Sequence, residues 1–168
     1  MKTKWFASLL VVSLALPFVS QAATSEVETI VKVVSTFYKG YIKSLETSDE
    51  TYRWREQPEV DPSFVSKIDA LLAEAQEENE EYGLGYDAIL MAQDWPQRME
   101  YAIPIIKGDT AEIIAYKDWG GGDKSPLCVI LSQKDTQWRI VDIIDMRWFE
   151  GEERLECGGL KREPKGKG

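Results

Sequence analysis

MEYAIPIIKGDTAEIIAYKDWGGGDKSPLCVILSQKDTQWRIVDIIDM, residues 99–146, decides the fold. Met99, Tyr101, Ile103 and Ile105 alternate with Glu100, Ala102, Pro104 and Ile106. That period of two marks a strand, and Pro104 places an edge or a bulge in it. Lys107-Gly108-Asp109 turns into a second run, 111–117. Gly120-Gly121-Gly122 and Asp123 lead into a third, 127–133, and Lys134-Asp135-Thr136 into a fourth, 138–146. Strands at this spacing with short turns predict an antiparallel meander.

Upstream the period changes. Val27, Ile30, Val31, Val34, Phe37, Tyr38, Tyr41, Ile42 and Leu45 form one broad apolar stripe, which predicts a helix of about 20 residues. Ser25 and Glu28 form a capping box at its start. Residues 46–60 are polar and read as a loop carrying Arg53-Trp54-Arg55. Asp61-Pro62 opens a second helix, as N-cap and first helical residue. Phe64, Val65, Ile68, Leu71 and Leu72 are its buried face. Its far end runs into Glu74, Glu77, Glu78, Glu80 and Glu81, where acids oppose the helix dipole, and Gly83 and Gly85 terminate it. The glutamates lack the spacing of a calcium loop and read as a solvated face. Two helices followed by a curled sheet of about four strands is an α+β arrangement, with the helices on one face.

The first 22 residues have the three parts of a secretory signal: MKTK, an apolar run, and small residues at Ser20 and Ala22. Cleavage is expected between Ala22 and Ala23. The run is broken by Pro17 and lacks a following Cys, so neither a membrane span nor a lipid anchor is expected. This divides the chain into a signal peptide (1–22), one α+β domain (23–150) and a C-terminal extension (151–168) expected to be partly disordered, whose tail from Lys161 to Gly168 is basic and Gly-rich. The formal charge of −9 becomes −11 without residues 1–22, which hold Lys2 and Lys4 and no acid. Such a surface argues against nucleic acid and anionic lipid as partners and favours a basic partner, or serves solubility alone. In an oxidising export compartment the two cysteines, Cys128 and Cys157, read as a disulfide.

The chain has no histidine. That removes the commonest general base and zinc ligand, and any Ser–His–Asp or Cys–His nucleophile built within this chain. Gly120 to Ser125 has a superficial phosphate-loop look, but a strand follows and Asp123 would repel phosphate. No metal and no cofactor are called for. Carboxylates are the remaining chemistry. Regular alternation puts Asp142 on the face of Trp138, Ile140 and Ile144, where an acid could act as a base; a place at the sheet edge, or neutralisation by a neighbour such as an arginine, is the preferred explanation, since buried acids are usually paired for structural reasons. Gln93-Asp94-Trp95 before Pro96 makes a corner between the helical half and the sheet. Its residues are turn formers, and also candidates for contact with a ligand or partner.

Phe37-Tyr38-Lys39-Gly40-Tyr41, Phe64-Val65-Ser66, Tyr86-Asp87, Gln93-Asp94-Trp95 and Trp138-Arg139-Ile140-Val141-Asp142-Ile143 resemble the pattern of an exported bacterial family, domain of unknown function 3828. The resemblance covers about 27–146. It implies a periplasmic protein of a Gram-negative bacterium and a cone of curved sheet similar to nuclear transport factor 2. It brings no catalytic residues.

These readings converge on a non-catalytic, soluble periplasmic module that binds a basic envelope or toxin protein, as an immunity protein, an inhibitor or an envelope accessory would. The alternatives are a small-molecule binder with Trp95, Tyr101, Trp138 and Asp142 around a cone pocket, and an acid–base enzyme using Asp142.

Overall fold

The computed structural model describes residues 20–146 and Cys157, with side chains from residue 24 onward. The expected signal peptide, up to residue 19, and the C-terminal extension other than Cys157 lie outside the described residues.

Helix α1 runs from Ser20 to Thr47, longer than its apolar stripe. Gln21, Ala22 and Ala23 are good helix formers and carry the helix back past Ser25. Ser25 is therefore not the cap; its carbonyl accepts the Thr29 hydroxyl at 2.8 Å. The stretch read as a loop contains a short 3-10 turn, Trp54–Glu56. Trp54 packs edge-on against Phe64 at 6.2 Å, with the Arg55 guanidinium 4.5 Å from its ring centroid. Helix α2 spans Pro62–Glu78. Asp61 caps it as expected, its side chain accepting the Ser63 N–H at 2.9 Å. Phe64 and Ile68 are buried, whereas Leu72, assigned to the buried face, is exposed. The helix stops at Asn79, ahead of the glycines.

The sheet is antiparallel and has five strands: β1 (Arg98–Tyr101), β2 (Ile105–Lys107), β3 (Thr110–Gly120), β4 (Asp123–Lys134) and β5 (Gln137–Asp145). Its order is β1-β3-β4-β5, and β2 also pairs with β3. The single first strand expected from the sequence is split, because the segment holding Pro104 leaves the ladder and exposes Ile103. Beyond β5, Val60 bridges Ile140 in parallel, with Asp61 N–H donating to the Ile140 carbonyl at 2.9 Å.

Both helices pack on one face of this sheet, α1 against β1 and β5 and α2 against β5. The rows Ala111–Leu131–Ile140 and Ile113–Val129–Ile143 meet Ile30, Val34, Phe37, Tyr38 and Phe64 in one core. Cys128 faces the other way and is bonded to Cys157, Cα to Cα 5.5 Å.

Candidate functional site

The inward row after Ala115–Leu127 ends at Asp145, not at a residue continuing the Trp138–Ile140 alternation. The reason is a bulge. Ile130 pairs with Asp142 and Leu131 with Ile140, so Val141 is one residue too many. One extra residue flips every later side chain to the opposite face. Asp142 therefore points outward, where both its oxygens meet Lys67 Nζ at 2.5 and 2.6 Å. The expectation that Asp142 sits on the apolar face with Ile144 is corrected: Ile143 is the buried residue and Asp145 the inward-facing acid.

The corner before the sheet is held from three sides. Asp87 Oδ1 accepts the N–H groups of Ile89 and Leu90 at 2.8 and 2.7 Å, and its other oxygen accepts the Tyr41 hydroxyl at 2.6 Å. Asp87 also bridges Ala92 along the backbone. Burial, then the Asp87 charge, pushes the Tyr41 hydroxyl far above the ordinary phenol range, so it remains a donor. From the sheet, Lys117 donates to the Leu90 carbonyl at 2.8 Å. Lys117 is fully buried, because it continues the inward positions Ala111, Ile113 and Ala115 of β3. A lysine in an apolar alternation was the one signal in the sequence that could have found it. Within this clamp Met91 is left-handed, with φ of 50°, a conformation costly for a long side chain.

From this fixed base Gln93, Asp94 and Trp95 project as exposed residues, Trp95 at 48 %. Opposite stands the β3–β4 hairpin. Gly121 and Gly122 form its two-residue turn with φ of 64° and 92°, which favours glycine at both positions. Asp118 steadies the hairpin, accepting the Gly120 N–H at 2.9 Å and pairing with Arg98 at 2.6 Å. The backbone N–H bond first, and then Arg98, hold the Asp118 carboxyl below the usual range. Between corner and hairpin lies an open cleft of about 550 Å³. Tyr86, Met91, Ala92 and Trp119 line it, together with Gln93 and the carboxylate residues Asp94, Asp123 and Asp145.

Of the six residues singled out in the sequence, the structure brings Gln93 and Asp94 to this cleft and leaves Trp95 exposed next to them in sequence. The others lie elsewhere. Trp138 is 3 % exposed and part of the core, and Tyr101, on β1, is half-buried and packs against that core. Trp119, Asp123 and Asp145 were missed. Trp119 lies at a register shift between Asp118 and Gly120, and Asp145 owes its direction to the β5 bulge. Among the described residues, no group of three or more carboxylate or cysteine side chains is placed to hold a metal ion. No described helix is long and apolar enough to cross a membrane.

No protein-family model matches the chain, and no curated protein matches it. Among solved structures it is similar to a chain of the type VI native effector–immunity complex Tae3–Tai3 from Ralstonia pickettii. The identity is 18 %, over 67 % of this chain and 94 % of that one, with a TM-score of 0.45. The selenomethionine form of the complex gives 20 % identity over 73 % and 97 %, with a TM-score of 0.42.

Proposed function

We propose that this chain is an exported, non-catalytic protein-binding module of the inhibitor, immunity or envelope-accessory type, which holds a basic protein through the corner at 86–95. One observation carries the reading. Asp87, Tyr41 and Lys117 fix the corner so that Gln93, Asp94 and Trp95 project from a base that is already ordered. A rigid binding loop loses little conformational freedom on association, and a projecting tryptophan is the side chain that most often anchors an interface. The acidic surface supplies steering toward a basic partner. The secretory pattern of 1–22 and the Cys128–Cys157 disulfide fit an oxidising compartment outside the cytoplasm.

The test is capture from periplasmic extract by the mature, disulfide-intact protein at low and near-physiological salt, followed by titration of the purified captive. A basic protein bound more weakly as salt rises, and losing about tenfold or more in affinity with Trp95→Ala, is the expected result. Binding indifferent to both salt and Trp95 would remove the proposal.

A further inference from the structure

We propose that the cleft between the corner and the β3–β4 hairpin receives an arginine side chain of the protein partner. This deepens the reading above and rests on it. Asp94 comes from the corner and Asp123 from the hairpin, so carboxylates stand at the opening on two separate elements, while Asp145, at the end of β5, also lines the cleft but is engaged in an interaction of its own. No basic residue is among those that line it. The dispersal suits an extended organic cation better than a metal ion, in keeping with the absence of a metal-binding group among the described residues. Aromatic surface from Trp119 and Tyr86 supplies the other half of the chemistry. A guanidinium is planar and weakly hydrated; it stacks on an indole face and meets carboxylates with a fork of donors. A lysine ammonium holds its water more tightly and cannot stack in that way. The volume, about 550 Å³, is enough for one long side chain with backbone on either side.

Two lysines near the cleft bear on this. Lys117 Nζ lies 6.0 Å from the Trp119 ring centroid and partly offsets the carboxylates, but it is buried and bonded to the Leu90 and Met91 carbonyls. Lys124, next to Asp123, is paired with Glu100 at 2.6 Å. Both walls are fixed beforehand, one by Lys117 and Asp87 and the other by Asp118.

The probe is N-acetylarginine methylamide, titrated against the mature protein while the Trp119 indole N–H is followed by NMR and assigned with Trp119→Phe. The control is the neutral citrulline analogue of the same shape. Saturable shifts at Trp119, with arginine about tenfold tighter than citrulline, are expected; the preference should disappear in Asp94→Asn/Asp123→Asn protein. Unchanged near-ultraviolet circular dichroism would show that this variant is folded. Equal binding of the two probes, or shifts scattered over the acidic surface, would overturn the proposal. A captured partner that tolerates Asp94→Asn/Asp123→Asn but not Trp95→Ala would remove the arginine receptor and leave the binding module standing. A seated probe with no protein partner would do the reverse: the cleft would remain a guanidinium site, and the protein-borne part would fall.

Discussion

Val141 changes the meaning of two aspartates. Read with regular alternation, β5 buries Asp142; folded with one surplus residue, it turns Asp142 out to Lys67 and Asp145 in toward the cleft. The sequence carries no mark of that bulge, because a period-two reading assumes that no residue is left over. Lys67 is 58 % exposed, so Asp142→Asn should cost less than about 1 kcal/mol in urea unfolding. Asp87→Ala should cost about 2 kcal/mol or more, since a charged acceptor of three hydrogen bonds is lost from a part-buried site. It should also raise amide exchange at Ile89 and Leu90. Asp61 adds a pH dependence. The Ser63 hydroxyl first, then the Ser63 N–H, and more weakly Lys134, lower its carboxyl to about 2. A depressed carboxyl contributes stability above its unfolded value and loses it on acidification. Its share should therefore be full above pH about 4 and vanish as pH falls to about 2; Asp61→Ala protein, compared by urea midpoint across that window, should lack this component.

At the scale of elements, the two helices and the order of the strands were legible because their apolar periods are long and their turns carry Gly, Asp and Lys. Boundaries were less so. Ala22 and Ala23 extend α1 without adding to its stripe, and Pro104 splits a strand whose apolar alternation continues through the break. Gly40 shows how one element limits another. Alanine there should favour the helix by about 1 kcal/mol. Its Cβ would instead stand 2.8 Å from the Tyr52 hydroxyl oxygen and 2.9 Å from a ring carbon. Gly40→Ala is therefore expected to lower stability by roughly 1 kcal/mol. Adding Tyr52→Ala should turn the same change into a gain, and a double-mutant cycle of unfolding free energies reads the reversal.

For the whole molecule, the disulfide was legible from cysteine count and compartment, and its partners are those expected. It closes 29 residues of chain separation. Replacing both cysteines with serine should lower stability by about 3–4 kcal/mol in the chain-entropy model, checked by thermal unfolding against the oxidised protein. The candidate site was legible only in its corner. Gln93, Asp94 and Trp95 stood out by their turn chemistry, while Trp119, Asp123 and Asp145 reach the cleft through a register shift, a hairpin and a bulge, which only pairing between strands determines.

The borders of the sheet have a consequence of their own. On one side the border strand is interrupted at Pro104; on the other, the Glu59 carbonyl and the Asp61 N–H occupy the backbone groups of Ile140, across from Val60. Unpaired strand borders are where chains polymerise. Here one is broken and the other covered, which discourages a second copy from adding a strand at either. A chain with such borders is expected to resist strand-wise growth into fibres as its concentration rises.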